Sequence, residues 1–165
     1  MPSAMKRIPP VVFVLAVVAV ALALAALWNA LANPFQFTSG PQSVSLVRGY
    51  DDVVTYTVTY RGAGPAVVEG AYVILKGQLL HVQVVSVDVV AGESDPGRRL
   101  SAEGKLEPGQ HITLQPGDTI QFRLSLHGAD RGGNYLGGFR LIFRAYGLAL
   151  TQDAKPDGDY VILVN

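Results

Sequence analysis

An unbroken apolar run from Val11 to Trp28 constrains this chain more than any other stretch. Its 18 residues exceed the roughly 7–15 of an ordinary signal-peptide core and approach the ~20 that span a bilayer as a helix. Lys6 and Arg7 precede it, and small residues follow at alternate positions, Ala30 and Ala32. A basic start, an apolar centre and an A-x-A site make a secretory signal, with cleavage predicted after Ala32. The alternative is an uncleaved anchor. Under both readings the rest of the chain is exported, and Lys6 and Arg7 hold the N-terminus inside.

The exported part, 133 residues if the cut follows Ala32, has the size of one domain. It carries eleven Lys and Arg against thirteen Asp and Glu, without a basic cluster. No field exists there to attract nucleic acid, and the membrane is expected to be met only through residues 8–31. All 18 glycines follow Ala32, with abundant Val and Thr, the composition of strands joined by tight turns. There is no cysteine. An exported domain without disulfides is held by its core, by metal, or by association with other copies.

Period-two alternation repeats along this part, and helical periodicity is absent after Trp28. Phe35 and Phe37 alternate with Gln36 and Thr38, so a short strand there presents two rings on one face. Further strands are predicted over 43–48, 53–60, 66–76, 79–90, 111–114, 119–126, 139–150 and 160–164. In 53–60, Val54, Tyr56, Val58 and Tyr60 share a face. In 79–90 the apolar phase changes from Leu80, Val82 and Val84 to Val85, Val87 and Val89, which is what a β-bulge produces. Residues 91–110 and 127–138 read as long loops. Seven to nine strands with turn signals between them predict an all-β sandwich, jelly-roll-like or immunoglobulin-like, behind one hydrophobic helix.

Chemistry is hard to find in this sequence. His81, His111 and His127 are far apart, and no paired-histidine or G-x-S-x-G pattern occurs. The chain is therefore read as a non-enzyme, with no catalytic residues and no cofactor. The only metal candidates are weak calcium ligands, Asp153, Asp157 and Asp159 around Gly158, and the Asp51-Asp52 pair. Asp-Gly is also an ordinary turn former. Gln115-Pro-Gly-Asp118 is a turn before a strand.

Three pieces resemble one family. Phe35-Gln-Phe-Thr-Ser-Gly40 followed by Val44-Ser-Leu46 resembles the F-x-A-G-x-L-x-L stretch after the signal peptide of TasA/camelysin-type proteins. Leu114-Gln-Pro-Gly-Asp118 is similar to that family's L-x-P-G-D. Asn134-Tyr-Leu-Gly137 before Phe139-Arg-Leu-Ile-Phe-Arg-Ala145 is similar to its N-x-Y-Q-G turn and following strand. Departures are Ser39 for Ala, Pro41 after the glycine, and Leu136 for Gln. The archaeal bundling pilins are similar to TasA and are the nearest relatives suspected. The resemblance implies a jelly-roll subunit of an extracellular biofilm fibre, whose N-terminal segment enters the neighbouring subunit as an added strand. Carried onto this chain, Asn33, Pro34, Phe35, Gln36, Phe37 and Thr38 form the donor strand and Gly40-Pro41 the hinge. Residues 42–165 form the body, and the partner is the chain itself, head to tail. Two alternatives remain: Phe35 to Thr38 pair within their own sandwich as a first edge strand, or the chain is an anchored sandwich that presents loops 91–110 and 127–138 for binding.

Overall fold

The computed structural model describes residues 10–77, 79–92, 95, 97–101 and 104–165. Lys6 and Arg7, and Glu93, Ser94, Pro96, Ala102 and Glu103 of the 91–110 stretch, lie outside them. The apolar run forms helix α1 (Pro10–Ala32). Its side chains from Val11 to Trp28 are exposed all round, and no Asp, Glu, Lys or Arg interrupts them. At ~1.5 Å per residue its 23 residues reach about 35 Å, enough to cross a bilayer.

The remainder is a sandwich of two sheets. One sheet is ordered β1 (Phe35–Ser39), β3 (Asp51–Tyr60), β8 (Thr119–Gly128), β5 (Val82–Ala91), β6 (Arg98–Arg99). The other is ordered β2 (Ser43–Leu46), β11 (Tyr160–Val164), β9 (Gly132–Ala145), β4 (Ala66–Lys76), β7 (Ile112–Leu114). Strand β10 (Leu148–Ala154) pairs with the second half of β9, beyond the stretch held by β11. All pairings between these strands are antiparallel except that of β2 with β11.

The alternation read from the sequence places the core. Val54, Tyr56, Val58 and Tyr60 of β3 and Ile120, Phe122, Leu124 and Leu126 of β8 point inward and are buried. Phe139, Leu141, Phe143 and Ala145 of β9 face them from the other sheet. Phe122 stacks on Phe139 across the interior, ring centroids 4.2 Å apart. The phase change in β5 is a bulge, because its register against β8 slips between Val84 and Ser86. Val85 stands out into solvent there.

Four expectations are corrected, and the described residues hold eleven strands instead of seven to nine. The 139–150 segment is two strands: Tyr146 (φ 53°) and Gly147 (φ 76°) make a two-residue hairpin turn of the twisted type that needs positive φ at both positions. Most of the 127–138 "loop" is strand, with β8 running to Gly128 and β9 starting at Gly132. Its glycines suggested a loop, yet at Gly138 a Cβ would lie 2.2 Å from the Ala154 carbonyl oxygen, so close strand approach requires glycine. Strand β5 begins at Val82, leaving Leu79 and Leu80 exposed. Within 91–110, Arg98 and Arg99 pair with Val89 and Asp88 as a short edge strand, and Lys105 bridges to Gly70.

Asn134, expected in a turn, lies fully buried in β9. Its side-chain oxygen accepts the His81 (2.8 Å) and Val82 (3.1 Å) N–H groups, and its amide nitrogen donates to the Leu79 carbonyl (2.9 Å). One amide thus fastens the β4–β5 connection onto the other sheet.

Candidate strand-exchange site

Of the segment 33–38, residues 35–38 belong to the first edge strand of their own sandwich, β1 (Phe35–Ser39), while Asn33 and Pro34 precede it. Strand β1 pairs with β3 in the register Phe35↔Tyr60, Gln36↔Thr59 and Phe37↔Val58, then slips before Ser39↔Thr57. Gln36 and Thr38 face outward, and the Thr38 and Thr59 hydroxyls hydrogen-bond to each other. Phe35 and Phe37 face inward and retain only 3% and 8% of their exposure.

Their rings occupy an aromatic trough supplied by both sheets. Phe35 meets Tyr60 at 5.1 Å between centroids and Phe143, nearly edge-on, at 4.8 Å. Phe37 meets Tyr160 at 5.0 Å, Tyr56 at 6.0 Å and Phe139 at 6.3 Å. Tilted and edge-on pairs are favourable geometries for aromatic quadrupoles. Area alone makes burial of each ring worth roughly 2–3 kcal/mol.

The backbone of β1 is held as well. At Phe35 the N–H and C=O that face away from β3 are both taken by the Gln152 side chain of β10. Its oxygen accepts the Phe35 N–H (2.8 Å) and its nitrogen donates to the Phe35 carbonyl (2.6 Å). Gln152 is itself buried, so its amide plays the part of a strand across the gap between the sheets. The Arg61 N–H donates to the Pro34 carbonyl (2.6 Å) and closes the entrance. Sequence reasoning missed Gln152. The available signal was a polar residue in phase with Leu150 and Ala154 on an inward face, hidden because the strand was expected to stop at Leu150. Gln152→Ala leaves both Phe35 groups without partners at ~1–3 kcal/mol each. Amide exchange at residues 35–37 is expected to quicken by one to two orders of magnitude, read by hydrogen–deuterium exchange, with the β8 amides unchanged.

Gly40, assigned to the hinge, lies flat on Tyr56, where a Cβ would be 2.1 Å from the ring. Residues 40–42 carry the chain from one sheet to the other. Among the described residues, the Tyr56 hydroxyl is a buried polar group with no hydrogen-bond partner. Burial, and next the nearby Tyr160, push its pKa to about 12, so it stays protonated throughout the physiological range.

The calcium candidates do not converge. Asp153 lies within β10, and its carboxylate takes a two-pronged contact from Arg140 of β9 (2.7 and 3.0 Å). That hydrogen bond holds the Asp153 pKa below its ordinary value. Asp157 and Asp159 are exposed in the following turn. Asp51 pairs with His127 (2.6 Å), and Asp52 accepts the Val53 N–H (2.8 Å). Among the described residues no three His, Asp or Glu gather as a metal site. The predicted cut at Ala30 and Ala32 falls in the last turn of α1, two residues before β1.

No family model and no curated protein matches this chain. Among solved structures, a PapD-like domain of human CEP192 aligns at 9% identity and a TM-score of 0.37, over 81% of this chain and 84% of that one. Murine CRIg aligns at 10% identity and a TM-score of 0.25, over 79% and 95%. A family 123 glycoside hydrolase from Clostridium perfringens aligns at 9% identity and a TM-score of 0.37, over 74% of this chain and 22% of its own length.

Proposed function

We propose that this chain is the subunit of an extracellular filament, in which β1 of one copy occupies the aromatic trough of the next. The observation that carries this reading is the trough. Every group that grips β1 belongs to the body: Tyr56, Tyr60, Phe139, Phe143, Gln152 and Tyr160. Gln152 and the β3 edge bind main chain, and the rings fill pockets for alternate side chains, the division of labour in strand addition. A second copy's β1 offers the same groups, so exchange replaces like with like. The body's own strand is attached only through 40–42 on one side and through the predicted cut on the other. Cleavage after Ala32 frees that end. Donation from copy to copy does not close on itself, and so gives a filament.

The seated β1 also supports a second reading, a sandwich kept at the membrane by α1. A helix of bilayer length, two residues from a strand locked in its own domain, is the geometry an anchored module uses.

The chain has no cysteine, which allows a direct test. Gln36 and Thr59 are cross-strand partners on the exposed face, within disulfide reach for antiparallel neighbours. The Gln36→Cys/Thr59→Cys protein, recovered from the cell exterior and oxidised, is expected to run as a ladder of covalent multimers, beginning at Asn33. Filaments containing only internally bridged monomers would end the exchange reading. A full-length monomer found only with membrane would favour the anchored module.

A further inference from the structure

We propose that, while α1 is attached, the end of the sandwich built by the 61–65 turn and the β9–β10 hairpin rests in the lipid headgroup layer. Tyr146 and Leu148 are its contacts. This rests on α1 entering a bilayer, and it does not require strand exchange. Only Asn33 and Pro34 separate α1 from β1, a reach of at most about 7 Å. The headgroup region is roughly 5–8 Å deep on each side of the hydrocarbon core. The helix exceeds a ~30 Å core by about 5 Å, so Pro34 stands within roughly 12 Å of the hydrocarbon edge, and whatever surrounds it lies at that layer or its outer border.

Contacts on the sandwich identify what surrounds it. The Pro34 carbonyl accepts the Arg61 N–H, and Arg61 opens the turn that contains Gly64. The Gly64 carbonyl accepts the Tyr60 hydroxyl (2.7 Å), and a Cβ on Gly64 would sit 3.2 Å from the Tyr146 ring. Helix α1 approaches β10, the strand that Tyr146 and Gly147 introduce.

The chemistry of this end suits a water–lipid boundary. Tyr146 and Leu148 are 49% and 46% exposed. Tyr146 holds a left-handed backbone that Asn or Gly adopts at lower cost, so local folding does not account for a tyrosine there. An apolar ring with a hydroxyl tip does suit a membrane interface, where Tyr and Trp concentrate, and Trp28 sits exposed near the end of α1. Residues 61–65 and 146–148 include Arg61 and no acidic group to repel phosphates. In the adjacent turn, the Asp118 carboxylate accepts the Gln115 N–H (2.7 Å).

The test uses the full chain in phosphatidylcholine vesicles containing lipids with a nitroxide near the glycerol. Trp28 is the only tryptophan, so the natural sequence reports helix insertion. The Trp28→Phe/Tyr146→Trp protein reports the proposed contact, and Trp28→Phe/Leu148→Trp repeats it without touching the turn. Trp28→Phe/Tyr50→Trp reports the far end, because Tyr50 precedes β3 whereas Tyr60 closes it, roughly 30 Å away. Emission at 146 and 148 is expected to fall at least twofold, with position 50 unaffected. Quenching of Trp28 without quenching at 146 or 148 overturns the proposal and leaves the helix reading standing. An unquenched Trp28 removes both.

Discussion

Phe35→Ser together with Phe37→Ser is expected to bring the isolated domain close to unfolding. Each ring loses 3–5 kcal/mol on truncation to a small side chain in a packed core. The two rings share no aromatic neighbour: Phe35 meets Tyr60 and Phe143, whereas Phe37 meets Tyr56, Phe139 and Tyr160. The two still stand side by side on one short strand, so their effects add only in part, to at most about 6–10 kcal/mol, against a total stability of roughly 5–15 kcal/mol for a domain. The double variant should lose most of its cooperative thermal transition. A synthetic peptide covering residues 33–40, added in excess, should restore the transition, because a ligand that binds only the folded body stabilises it by mass action. Restoration would show that the trough accepts a strand from outside its own chain. A variant that stays unfolded at saturating peptide, or keeps its original melting temperature, would remove the trough from the proposed assembly. Fibre formation by the double variant would remove the two rings from it.

Asn134→Ala is the second large effect. It strands the buried Val82 N–H together with the part-buried His81 N–H and Leu79 carbonyl. An orphaned buried group costs ~1–3 kcal/mol and a part-buried one falls at the low end of that range, so about 3–5 kcal/mol is expected for the three. For a domain of this size that lowers Tm by roughly 10–20 °C. Scanning calorimetry of the secreted domain measures it, and a shift below about 3 °C would mean that the 77–81 connection does not depend on this clamp. Asn134 makes no contact with β1 among the bonds it forms, so the variant should still accept the 33–40 peptide below its melting temperature.

The two variants separate jobs that the sequence presented together. Phe35 and Asn134 both stand in aromatic- and glycine-containing stretches that the sequence alone could not tell apart in role. Phe35 fills the trough that the proposed exchange would use. Asn134 pins one connection, and its side-chain hydrogen bonds go to residues 76–82 and not to β1.

Sequence alone determined whatever depends on local pattern. Eighteen apolar residues without a charge make a helix that buries nothing of its own, because no polar face exists to separate inside from outside. Strict alternation in β3, β8 and the second half of β9 placed their core faces, since side chains in a strand point alternately to opposite sides. A change of phase located the bulge at Val85 for the same reason.

Tertiary structure decided whatever depends on two distant segments meeting. Gly-Gly-Asn-Tyr-Leu-Gly-Gly reads as a loop by propensity, yet it is strand because β4 and β11 flank it, and its glycines sit where a Cβ would press on neighbouring atoms. Asp153 lay beside two other acids in sequence, but the register of β10 against β9 put Arg140 opposite it and gave it a guanidinium in place of a metal. Gln152 acquired its role only when the second sheet closed over Phe35, 117 residues away. Local sequence carries periodicity. The partner of a strand edge, and whether that edge is filled by its own chain or by another, is set by long-range packing that no short window contains.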